Sequence, residues 1–177
     1  MSKPLTTEAK FLLASRQGSA SLRDAGYSAA DLRDAGYSAA DLRALGYSAA
    51  DLRDAGYSAE IDEMLKDVPL LDKPYTRLLN DIREKRRTHK QSTFGDLDHY
   101  EPDDNVCGMP MCTAGHFVQM AGKAGFKLKR TYDWTGAYQL LHMKAHPDTP
   151  PQSTASIPQD WAMAYIETMA VKEAAQQ

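Results

Sequence analysis

The sequence predicts a mostly α protein, a short-helix decapeptide-repeat solenoid followed by a small helical domain. Three observations predict it. Leu recurs every ten residues, at Leu22, Leu32, Leu42 and Leu52. A Gly-Tyr-Ser triplet recurs at the same interval, with Tyr27, Tyr37, Tyr47 and Tyr57 at its centre. Beyond the repeat, apolar residues return at helical spacing in several separate stretches.

Each unit carries its own start and stop. Ser28 suits an N-cap, because its hydroxyl can accept from a free amide of the first turn. Asp31 stands three residues on, where a capping box places its acid and where the helix dipole favours a negative charge. Ala29, Ala30, Leu32, Arg33 and Ala35 are mostly good helix formers. Gly36 supplies the left-handed residue that ends the helix. The pattern predicts the same cap, box and stop in every unit, from Ser28 through Ser58.

A helix this short is below the ~12–15 residues needed for marginal stability alone. The units must therefore stack, burying Leu, Tyr and Ala against neighbours, and the stack needs ends. Phe11, Leu12 and Leu13 before it, with Ile61, Met64 and Leu65 after it, are the expected capping turns. The resulting division is residues 1–20 as entry and capping segment, 21–66 as the decapeptide-repeat solenoid, and 67–177 as the small helical domain.

The same letters also fit a five-residue register that resembles pentapeptide-repeat proteins. That resemblance implies a short β-solenoid as the alternative. The ten-residue period is the stronger one, and Gly and bulky Tyr occupy positions that the five-residue pattern fills otherwise.

After the repeat, Val68-Pro69-Leu70 and Lys73-Pro74 break the pattern. Pro74 suits the first turn of a helix, with Tyr75, Leu78, Leu79 and Ile82 on its apolar face. That helix ends in a basic run from Arg83 to Lys90. Gln91 to Asn105 reads as a polar, acidic loop. Met111 to Gly122 reads as a helix with Ala114, Phe117, Val118 and Ala121 apolar. Lys127 to Thr131 reads as a short extended link. A helix follows with Trp134, Ala137, Tyr138, Leu141 and Ala145. Pro147 to Pro158 reads as a loop, and Pro158 opens a last helix with Trp161, Tyr165, Ile166 and Met169 on one face. Residues after Lys172 are expected to fray.

Formal net charge is −3 over 177 residues, so no global pull toward nucleic acid is expected. No apolar run is long enough for a transmembrane helix, and the N-terminus lacks the apolar core of a secretory signal. Two Cys in a chain of this size point to a reducing compartment. A cytoplasmic protein is expected, with virion association the alternative.

The sharpest local feature is Cys107-Gly108-Met109-Pro110-Met111-Cys112-Thr113-Ala114-Gly115-His116. It resembles a motif of small uncharacterised phage and bacterial proteins: Cys-Gly-Thr-x-x-Cys, a variable residue, Ala-Gly, then Trp or His. Met109 stands where that motif has Thr. The resemblance implies a domain type and no reaction.

Three chemistries are open to this segment. Cys107, Cys112 and His116, with His99, His142 or His146 as a fourth ligand, are the candidate zinc set. Cys112 near a helix N-terminus, with His116 one turn later as base, is the candidate nucleophile. Plain packing is the third, since Cys behaves as a small buried hydrophobe; no cofactor is required.

Two basic runs are the candidate nucleic-acid contacts: Arg83, Arg86 and Arg87 in one, Lys127, Lys129 and Arg130 in the other. From Ser21 to Glu60 there are four Arg against six Asp and one Glu, so the repeat itself is acidic. It would repel nucleic acid and suits a protein partner. The function read from the sequence is a non-enzymatic interaction or scaffold protein, with no membrane. A thiol- or zinc-dependent enzyme and a nucleic-acid binder are the alternatives.

Overall fold

The computed structural model describes residue 22 and residues 26–84, 88–89, 110–152 and 158–175. The repeat is helical, as the ten-residue pattern predicts, and the β-solenoid alternative is not adopted. Its described helices are α1 (Ala29–Asp34), α2 (Ala39–Ala44), α3 (Ala49–Asp54) and α4 (Ser58–Leu65). Ser28, Ser38 and Ser48 each accept from the amide three residues on, and Asp31, Asp41 and Asp51 each accept from the cap amide. Each serine hydroxyl also donates to that carboxylate, at 2.6 to 2.7 Å. Gly36, Gly46 and Gly56 end the helices at φ of 78° to 92°, a region that costs other residues strain.

The fourth serine departs from the expectation. Ser58 lies inside α4, whose cap position is Tyr57 and carries no side-chain cap bond. The residue three after Ser58 is Ile61, so no acid is available to complete a box.

The chain divides into two compact units. The first holds residues 1–67 together with 142–153; the second holds residues 68–141 and 154–177. In the first, α1 packs on both α2 and α3, and α4 packs on α3. Leu22, Leu32, Leu42, Leu52, Ile61 and Leu65 form the core of this unit with Tyr27, Tyr47 and Ala49.

The second unit contains α5 (Pro74–Arg83), α6 (Thr113–Met120), most of α7 (Gly122–Ala145) and α8 (Gln159–Ala175). A two-residue parallel pair joins β1 (Thr88–His89) to β2 (Pro110–Met111). Tyr75 and Phe117 rings lie 4.9 Å apart, and Phe117 meets Tyr138 edge-on at 5.2 Å. The Tyr75 and Tyr138 hydroxyls are 2.8 Å apart. Buried aromatic pairs of this geometry contribute about 0.5–1.5 kcal/mol each beyond their area. Buried Glu173 on α8 accepts from the first amides of α5, Tyr75 N at 3.1 Å and Thr76 N at 2.7 Å. It thus caps a neighbouring helix by accepting from two amides of its first turn.

Three expectations for this half are corrected. Lys127 to Thr131 is helix, not an extended link: Phe126 on the same turn is buried, and the Thr131 hydroxyl donates to the Lys127 carbonyl at 3.2 Å. The break comes at Asp133, with φ 61° and ψ −175°. Its carboxylate accepts from Gly136 N at 2.8 Å and so caps the second half of α7. Trp161 is exposed, because α8 turns Ala162, Ile166, Met169, Ala170 and Glu173 inward instead. The end of α8 runs to Ala175, held by Glu173, where fraying was expected after Lys172. The polar stretch from Gln91 to Asn105 lies outside the described residues.

Candidate functional site

The stack has a longer structural period than its sequence. The Tyr47 hydroxyl donates to the Tyr27 carbonyl at 2.6 Å, and the Tyr57 hydroxyl donates to the Tyr37 carbonyl. The Arg33 guanidinium donates to the carbonyl of Ala55. All three bonds reach across two decads. Units two apart therefore sit one above the other, and alternate units form two sides. Tyr27 and Tyr47 on one side are buried, whereas Tyr37 and Tyr57 on the other are half-buried.

Residues 142–153 return to this unit and lie along its third decad. The Pro147 carbonyl accepts from Ala50 N at 2.9 Å, one of the free amides of the first turn of α3. The Pro151 carbonyl would lie 3.9 Å from a Cβ placed on Gly46. Ser48 is buried here, where Ser28 and Ser38 are exposed. The return is shaped by His142, which is fully buried and donates from Nε2 to the Thr149 carbonyl at 2.8 Å. The His142 and His146 rings lie 5.3 Å apart.

Outward from this core, one position repeats. Asp34, Ala44 and Asp54, at ten-residue intervals, are exposed in the last turn of α1, α2 and α3. Exposed Arg33 pairs with Asp34 at 3.1 Å. The result is an exposed position that recurs in the last turn of each unit, around a shared apolar core.

The thiol segment lies in the second unit. Cys112 is the cap residue of α6, and His116 follows one turn later; both are buried. Burial pushes the Cys112 thiol up, against the amides of Gly115 and Ala114, which draw it down. Desolvation outweighs the helix N-terminus, so the direction is opposite to that of an activated thiolate. Cys107 and His99 lie outside the described residues. His142 groups with the first unit, while Cys112 and His116 belong to the second. Among the described residues, no three His, Cys, Asp or Glu side chains gather closely enough to hold a metal ion.

Of the basic candidates, Arg83 is exposed at the C-terminal turn of α5, where a cation suits the dipole. Arg86 and Arg87 lie outside the described residues. Lys127 and Arg130 are exposed and share a face of α7 with Lys123. Lys129 turns instead to Trp134, its ammonium 4.9 Å from the ring centroid.

Sequence reasoning missed the return segment and Glu173. The only signal for the first is a His-x3-His pair running into His-Pro, and for the second a lone acid at the end of a helix. No described helix is long and apolar enough to cross a membrane.

No curated protein and no solved structure matches this chain. Residues 8–64 of its 177 match a family model described as a Decapeptide repeat region, and that span encloses α1 to α3 and all of α4 but Leu65.

Proposed function

We propose that this chain is a non-enzymatic interaction protein whose repeat serves as a docking surface for another protein, in the reducing interior of a bacterial or phage-infected cell. The observation that carries this reading is the exposed position that recurs in each unit. The recurring Leu22, Leu32, Leu42 and Leu52 are spent on the core, while the position of Asp34, Ala44 and Asp54 is exposed unit after unit. Stacked repeats with a constant core and a recurring surface offer an extended contact that lengthens by duplication. The buried, upward-shifted thiol of Cys112 favours this reading over a thiol enzyme.

The test is a triple variant, Asp34→Lys, Ala44→Lys and Asp54→Lys. All three sites are exposed and sit in last helical turns, where Lys is compatible with the fold. The wild-type chain, expressed in its own host, should retain a partner in stoichiometric amount that the variant loses, with circular dichroism unchanged. Retention of the same protein by both, or of none by the wild type, would refute it.

A further inference from the structure

α8 has two faces, and its own unit uses only one of them. Ala162, Ile166, Met169, Ala170 and Glu173 are buried where the helix packs on α5. Trp161, Ala164, Thr168, Val171 and Ala175 are all exposed, Trp161 by 68% and Val171 by 70%. Single exposed apolar residues are ordinary on a protein surface. Here, however, the five are spaced three, four, three and four residues apart. That is the period of a coiled-coil seam, with Trp161, Thr168 and Ala175 at its a positions and Ala164 and Val171 at its d positions. The seam runs for about 21 Å along the helix. It carries no charge, and its one hydroxyl is engaged: Thr168 Oγ1 donates to the Ala164 carbonyl at 2.8 Å. Covering the seam therefore strands no donor. Ala164 and Ala175 let a second helix come close, while Trp161 and Val171 supply apolar area that a lone chain leaves in water.

The flanking residues say what fits opposite. Between Trp161 and Ala175 the e positions are Tyr165 and Lys172, and the g positions are Glu167 and Ala174. One acid and one base thus border the seam. Both are exposed, and among the described residues neither takes part in an ion pair. In a parallel pair of helices, g of one chain meets the following e of the other. A second copy of α8 laid parallel sets Glu167 of each copy against Lys172 of the other, two pairs related by a twofold axis. An antiparallel copy would bring g to g and e to e, acid on acid and base on base.

We propose that α8 is a dimerisation surface, which pairs with α8 of a second copy of this chain as a short parallel coiled coil. The helix belongs to the second unit, so the proposal stands apart from the docking reading of the repeat.

Sedimentation of the full chain over a range of concentrations tests it. The wild type should pass from monomer to dimer as concentration rises. Val171→Glu places a charge in the seam at an exposed site, so it should abolish the dimer with circular dichroism unchanged. Glu167→Lys and Lys172→Glu should each weaken the dimer severalfold, because each turns two attractions into two repulsions. The double variant carrying both reversals should regain the wild-type affinity, which the parallel arrangement alone allows. A wild-type chain that stays monomeric up to about 1 mM, or a dimer that survives Val171→Glu, would overturn the proposal. A double variant no tighter than the two single reversals would overturn it as well, since the choice of a second copy rests on those charge pairs.

Discussion

Tyr47 and Tyr27 are joined by a hydrogen bond from a side chain to a backbone carbonyl twenty residues away, with both residues buried. This bond ties together units two decads apart. It satisfies the hydroxyl and the carbonyl together, away from water. Tyr47→Phe keeps the ring and removes the donor to the Tyr27 carbonyl, a buried hydrogen bond worth about 0.5–1.5 kcal/mol. Tyr57→Phe removes the equivalent bond at a half-buried site, where water can replace the lost donor. Urea unfolding should therefore show a larger loss for Tyr47→Phe than for Tyr57→Phe. Equal losses would mean that the two sides of the stack are equivalent.

The serine caps form a graded series. Ser38→Ala should cost roughly 1 kcal/mol, the usual value for an N-cap. Ser48→Ala should cost more, because Ser48 is buried beside the return segment and Asp51 would lose its hydroxyl donor there. Thermal unfolding of the two single variants checks the order.

Asp41 gives the caps a pH dependence. The Ser38 side chain, then the Ser38 amide, holds its carboxyl below the ordinary value of 3.8. A depressed folded value means that this stability is present above 3.8 and is lost as pH falls through the lower folded value. Asp41→Asn should flatten part of the acid limb of a stability–pH curve below about pH 4. A limb identical to wild type would show that this box does not contribute to acid sensitivity.

Glu173→Ala should destabilise the second unit by about 1–3 kcal/mol or more. It strips the Tyr75 and Thr76 amides of this acceptor, the first at a buried site and the second at a part-buried one. Hydrogen exchange at those two amides should accelerate more than at the centre of α5.

The Cys112 thiol should behave as a buried one. In a Cys107→Ser background, iodoacetamide at pH 8 should label Cys112 far more slowly than in urea, because burial pushes its titration up. The sign for stability follows. The folded value is raised, so this contribution is fully present below the ordinary thiol value of 9.0 and is lost as pH rises from there through the higher folded value. Fast labelling of the native chain would overturn the buried assignment.

What the sequence disclosed was what is local. Cap, box and stop all lie within ten residues, so Ser28, Asp31 and Gly36 announce a helix before any packing is known. The doubling of the period was hidden, because Tyr27 and Tyr47 carry the same letters as Tyr37 and Tyr57 and differ only in what covers them. Lys127 to Arg130 looked extended because charge there masks a turn whose apolar member, Phe126, precedes it. Trp161 was misplaced because small residues do the burying on α8, and alanines at 162 and 170 give a weak apolar signal. Pro147 onward is a loop, as the sequence indicates, but its docking on the repeat was hidden, since the bonds of Pro147 to Ala50 and of Lys144 to Leu65 join positions far apart in the chain.

Lys144, from outside the repeat, donates to the Leu65 carbonyl, ten residues beyond the carbonyl that Arg33 meets. The last helix of the array is thereby tied down by a side chain far along the sequence, so loosening that lysine should fray the closing turn before it disturbs the earlier decads.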